Sequence, residues 1–266
     1  MLMKYIKIVA VSVAIMMLAS VAIAQKNIDI SGLVKTSHLW RGYQISDEVT
    51  TAGSIDLMTN DGSLKGGIWG GYGVNGGFKE VDYYVQYSYS GFTLALWDIY
   101  NFSPGATYNN RQAFNYSAHE TGHFIDLSLA YRFGSKFPLQ ISWATVIFGR
   151  DRALNDKGEM KNQYTNYVSL DYPVGTFKGV KVDVGLAGAF AFRKAHAPVI
   201  DPGTGLITGY NKTDANFYGN TNGIVNVNLT VSKDITVGGY NFPVSVGTMW
   251  NPMSEDIYMC VAIGLF

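Results

Sequence analysis

His119-Glu120-Thr121-Gly122-His123 spells H-E-x-x-H, the pattern in which two histidines hold zinc and the glutamate activates the metal-bound water. That chemistry needs a helix, because helical i, i+4 spacing brings both imidazoles to one tetrahedral ion. Here Gly122 interrupts the motif, a turn-rich polar stretch precedes it, and an alternating segment begins at Phe124. On a strand the two histidines would share a face but lie about 13 Å apart, too far for one metal. Ser37-His38 raises a second enzyme class, a hydrolase with a serine nucleophile and a histidine base. Neighbours on a strand point to opposite faces, so these two are not direct partners, and His196 sits in the longest loop. The expectation is a protein with no catalytic residue, no metal and no cofactor.

The other chemistry lies in charges set opposite apolar residues in alternating segments: Asp29, Lys35, Arg41, Asp56, Asp82, Asp126, Arg132, Asp171, Lys181, Asp183 and Arg193. An Arg or Lys facing lipid near the midplane of a bilayer costs about 2–4 kcal/mol, so in a membrane barrel these side chains point inward or sit at the rims. They are the candidate pore-lining residues. By parity Arg41 shares the inward face of the first segment with Asp29 and Lys35, near the outer mouth, where its charge would gather anions. Mixed signs inside a barrel either line a wet pore or pair across the lumen and close it, and twelve strands lie between filled and open barrels.

The segments that must position these charges recur with period two. They run at about Asn27 to Trp40, Val49 to Thr59, Leu64 to Val74, Val81 to Tyr89, Phe92 to Asn101 and Phe124 to Phe133. Six more follow: Leu139 to Gly149, Tyr164 to Tyr172, Val180 to Arg193, Ile224 to Val231, Phe242 to Trp250 and Ile257 to Phe266. Ser90-Gly91 reads as a tight hairpin and Pro173-Val174-Gly175 as a turn. Long connections follow odd segments and short ones follow even segments, with Ser103 to Gly122 and Lys194 to Gly223 the longest. That asymmetry, the even count and the terminal aromatic Phe266 predict an all-β protein: a single transmembrane antiparallel β-barrel of twelve strands with both termini periplasmic. A water-soluble β-sandwich shares the period but not the loop asymmetry.

Lys4 and Lys7, the apolar stretch Ile8 to Leu18 and Ala22-Ile23-Ala24 make a secretory signal with cleavage before Gln25, so residues 1–24 are expected to be removed and 25–266 to form the barrel. Cleavage takes away two lysines and leaves 242 residues with 18 Lys plus Arg against 20 Asp plus Glu, a balance that points away from nucleic acid. Charged residues are 15% of the chain and aromatics 14%, which fits an outer face that meets lipid with aromatic residues at its interfaces. The single Cys260 cannot form an internal disulfide. The expected location is the bacterial outer membrane of a Gram-negative cell. The expected partners are outer-membrane lipid, the barrel-assembly machinery through the last strand ending in Phe266, and small solutes.

Ser37-His38-Leu39-Trp40-Arg41-Gly42-Tyr43-Gln44-Ile45-Ser46, followed by Gly66-Gly67-Ile68-Trp69-Gly70-Gly71, resembles the opening of the TorF-like family of porins, with its Ser, aromatic, Arg-Gly and second Ser at the top of the first hairpin and a Gly/Trp-rich third strand. Tyr43-Gln44 departs from the small aliphatic residue expected after Arg-Gly. The resemblance covers roughly the first 75 mature residues and implies an outer-membrane barrel, with no substrate and no catalytic residues attached. The resulting expectation is a passive diffusion channel for small hydrophilic solutes. The alternatives are a non-conducting barrel with a structural or surface-binding role and, third, an outer-membrane hydrolase.

Overall fold

A computed structural model describes residues 27–106, 111–118 and 120–266. The signal segment 1–24 and His119 fall outside the described residues. In chain order the strands are β1 (Ile28–Lys35), β2 (His38–Trp40), β3 (Tyr43–Ser46), β4 (Thr50–Met58), β5 (Leu64–Gly73) and β6 (Lys79–Tyr89). Then come β7 (Phe92–Asn101), β8 (His123–Arg132), β9 (Gln140–Gly149), β10 (Arg152–Leu154), β11 (Met160–Asn162) and β12 (Thr165–Phe177). The last six are β13 (Val180–Ala191), β14 (Ala195–Ile200), β15 (Ile207–Thr213), β16 (Gly223–Val237), β17 (Tyr240–Asn251) and β18 (Asp256–Gly264).

Twelve of them close an antiparallel barrel in the order β1-β18-β17-β16-β13-β12-β9-β8-β7-β6-β5-β4. Each of the twelve segments expected from periodicity supplies one wall strand. Closure is made by β1 against β18, with Leu33 opposite Gly264 and Lys35 opposite Ala262. Leu265 N donates to Gly32 O at 2.8 Å and Gly32 N to Phe266 O at 3.2 Å, so the seam is hydrogen-bonded down to the last residue. A Cβ on Gly32 would lie 2.7 Å from the Phe266 ring, so a side chain there would push that ring away from the seam.

The two faces of the wall differ in the way the alternation requires. Ile30, Ile55 and Ile68 stand in register on β1, β4 and β5 and are 54%, 55% and 49% exposed, an apolar outer surface. One residue along each strand the side chains turn inward and are polar: Asp29 opposite Asp56 is such a pair. The tight turns carry positive φ at both central residues, Ser90-Gly91 at 48° and 87°, Lys178-Gly179 at 53° and 79°, and Gly238-Gly239 at 59° and 85°. This geometry matches the twist of the flanking strands, and glycine reaches it without strain.

Three boundaries differ from the sequence reading. Pro173-Val174-Gly175 is not a turn: β12 runs on to Phe177, and the register shifts between Pro173 and Gly175. A bulge tolerates proline because the ladder needs no N–H there. The ninth segment stops at Ala191, so Arg193 lies in the connection beyond the wall, its guanidinium over the Tyr164 ring at 6.0 Å. The largest correction is at the first segment. The wall strand ends at Lys35, and His38–Trp40 pairs with Tyr43–Ser46 as a separate hairpin.

Candidate functional site

That hairpin, β2–β3, is seated inside the barrel. Thr36 N still bonds Val261 O at 2.9 Å and Ser37 Oγ donates to Met259 O at 3.1 Å, but from His38 the chain leaves the wall. His38 stacks on Phe78 with ring centroids 4.9 Å apart, and its Nδ1 meets Lys35 Nζ. The Ser37 hydroxyl and the His38 ring therefore serve different partners and do not form a nucleophile–base pair. The hairpin turns at Arg41-Gly42, both with positive φ (45° and 95°). Asn251 Nδ2 donates to Gly42 O at 3.2 Å and Gly42 N points at Met249 Sδ at 3.2 Å, which fastens the tip to β17.

From this tip Arg41 reaches across the lumen to β8. Its Nη1 and Nη2 donate to Asp126 Oδ1 and Oδ2 at 2.8 and 2.7 Å, and Nη1 also donates to Tyr218 Oη at 2.8 Å. The guanidinium carbon lies 4.8 Å from the Trp40 ring centroid and 5.1 Å from that of Tyr167. Such a fork satisfies the carboxylate in both lone-pair directions, which a lysine could not do. Arg41 is thus not on the β1 face with Asp29 and Lys35. Strand parity placed it there, whereas a tight turn and a carboxylate from another strand decide its position, and Asp126 matches its charge.

Around the latch, Trp40, Phe124, Phe217 and Tyr218 pack edge to face and tilted at centroid distances of 5.2 to 6.4 Å. Phe217 and Tyr218 come from the connection between β13 and β16, and Phe217 N is anchored on Thr165 Oγ1 at 3.1 Å. Two cavities flank this aromatic cluster, one of about 340 Å³ and one of about 300 Å³. They share Trp40, Ile45, Arg150 and Phe217 as lining, so these four side chains stand between them.

The remaining charges fall into two groups. Toward the long-connection end, Lys35 and Asp82 line the larger cavity, beside Glu80. In the half toward the short turns, Asp56 is held by Lys65 at 2.6 Å and by the Tyr84 hydroxyl, and Asp171 accepts from Ser169 Oγ at 2.8 Å. Asp29 stands opposite Asp56, Asp183 opposite Pro173, and Lys181 opposite Thr176. Arg132 donates to Gln140 Oε1 at 2.8 Å at the rim.

Sequence reasoning missed Asp98. Its pairing opposite Tyr83 and Ile125 puts it on the outer face of β7, where a bare carboxylate would meet apolar surroundings. It is covered instead. His123 Nδ1 lies 2.8 Å from Asp98 Oδ1 and its Nε2 lies 3.0 Å from Ala113 O, while the Tyr116 hydroxyl donates to Asp98 Oδ2. The connection between β7 and β8 is therefore pinned over the outside of the wall by the second histidine of the H-E-x-x-H stretch. His123 stands on strand β8, not on a helix, and both its ring nitrogens have protein partners.

Asp151, in the connection after β9, is buried and accepts from Thr165 N at 2.7 Å and Thr165 Oγ1 at 2.8 Å. Burial pushes its carboxyl up to about 6 despite those two bonds. The folded state then holds a proton that the unfolded chain releases near 3.8, so stability should fall as pH rises from about 4 to about 6 and level off above that. Asp151→Asn should flatten this slope. Denaturant midpoints of both chains at pH 4, 5, 6 and 7 check it, and parallel pH profiles would refute it.

The wall and lumen define a closed β-barrel with an inserted hairpin. No protein-family model and no curated protein sequence matches the chain. Among solved structures, an outer membrane channel from Pseudomonas putida is 12% identical over 90% of this chain and 94% of that one, with a TM-score of 0.41. OmpF of Salmonella typhi, solved with daunomycin, is 10% identical over 90% and 97% of the two chains, at a TM-score of 0.37. A BenF-like porin from Pseudomonas fluorescens is 10% identical over 90% of this chain and 58% of that one, at a TM-score of 0.31. At these scores the likeness says nothing about cargo or partner.

Proposed function

We propose that residues 25–266, exported by a cleaved signal of residues 1–24, form an outer-membrane barrel that acts as a narrow passive channel for small hydrophilic solutes. The observation that carries this reading is the division of the wall, apolar outside and charged inside, around a lumen that keeps two cavities with Trp40, Ile45, Arg150 and Phe217 between them. An apolar outer band suits lipid, and an inner surface of mixed charge suits water and ions. Asp29, Asp56, Arg132, Asp171, Lys181 and Asp183 would line the vestibule toward the short turns, and Lys35 and Asp82 the level beside the hairpin. The Arg41–Asp126 pair with Trp40 and Phe217 would be the constriction. The N-terminal resemblance to TorF-like porins agrees with this reading, and outer-membrane lipid and the assembly machinery are its partners.

The same Arg41–Asp126 pair favours a second reading, a barrel sealed by its hairpin that does not conduct. Planar-bilayer recordings of the refolded mature chain separate the two. Discrete steps of small unitary conductance are expected. Protein that inserts, runs heat-modifiable on gels and gives no steps at any voltage would leave the non-conducting reading standing.

A further inference from the structure

Among the described residues, Asp82 has no partner of its own strength. It points inward on β6, opposite Trp69 of β5 and Ile99 of β7, and is 6% exposed. The hydrogen bond it accepts comes from Tyr100 N to Oδ1, at a long 3.3 Å. No lysine or arginine of the described residues forms an ion pair with it within 4 Å. A carboxyl buried without a counter-ion takes up a proton, and it holds its charge only when a cation joins it. Asp82 faces not packed side chains but the cavity of about 340 Å³.

The other charges at this cavity are engaged. Arg41 is held in both directions by Asp126. Lys35 meets His38 and lies 5.7 Å from the Trp69 ring centroid. Glu80 accepts from Asn101 Nδ2 at 3.1 Å, and Arg150 stands over the Phe124 ring at 5.4 Å. Trp69, opposite Asp82 on β5, lines the same cavity together with Trp40 and Trp97.

We infer that this chamber is a binding site for a small organic cation, a primary amine carrying an apolar or aromatic body. A carboxylate with a free acceptor oxygen calls for N–H donors, which a primary ammonium has and a quaternary one lacks. Indole faces attract a desolvated cation and cover its apolar body. The site would exist whether or not the barrel conducts, so it does not depend on the channel reading.

The test is calorimetric titration of the refolded mature barrel in detergent with 2-phenylethylamine and, separately, with 2-phenylethanol, which has the same shape and no charge. The amine is expected to bind about ten- to hundredfold more tightly than the alcohol, the value of a charge-assisted hydrogen bond in a buried site. Asp82→Asn, checked for heat-modifiable mobility, should bring the amine down to the level of the alcohol. Equal binding of amine and alcohol by the wild type would reduce the chamber to an apolar pocket and overturn the inference without relying on any variant. Amine binding that survives Asp82→Asn, or no amine binding at all, would overturn it as well.

Discussion

Arg41→Ala should cost the barrel about 3–5 kcal/mol, because it leaves Asp126 buried with its cation removed. Asp126 is 1% exposed and its bonds to Arg41 span the lumen, so nothing local can replace them. The same change frees the hairpin tip from β8, and the unitary conductance should rise several-fold if the constriction is where the latch lies. Asp126→Asn, which keeps the shape and one acceptor, should lose less. The double variant Arg41→Ala with Asp126→Ala should recover part of the loss, since no unpaired charge remains. Urea unfolding in lipid vesicles measures the first effect and bilayer recording the second. Equal midpoints for wild type and Arg41→Ala would mean that the pair contributes nothing to holding the barrel. Unchanged conductance in a destabilised variant would move the constriction elsewhere.

Gly42→Ala should act from the other side of the same hairpin. A Cβ there would sit 2.0 Å from Val225 O on β16, and the residue has φ +95°. Backbone cannot move aside as a flexible side chain can, so the tip must leave its seat and give up the contacts to Met249 and Asn251. Overpacking and left-handed strain together suggest a loss of about 2–4 kcal/mol. Gly62→Ala is the matched comparison. It has φ +70° with nothing within 4 Å of its Cβ, so it bears the strain without the collision. Hydrogen exchange over residues 36–47 should quicken in Gly42→Ala and stay as in wild type in Gly62→Ala. Similar exchange in both variants would show that the tip is not packed against β16.

What the sequence by itself determined is the wall. Side-chain alternation is a property of each strand alone, so twelve wall strands, their loop asymmetry and the inward direction of Asp56, Asp82 and Asp126 could be read residue by residue. The Ser90-Gly91 turn was legible for the same local reason. Tertiary structure alone decided what fills the wall. His38 to Trp40 continues the alternation of β1 without a break, and its departure into the lumen depends on Gly42 meeting β16 and β17 and on Arg41 meeting an aspartate 85 positions away. Asp98 shows the converse: its outward direction follows from parity, but its cover comes from His123 and Tyr116, delivered by a connection that no period describes. Local geometry fixes which way a side chain points, while its partner is chosen by closure of the barrel and the folding of the long connections back onto it.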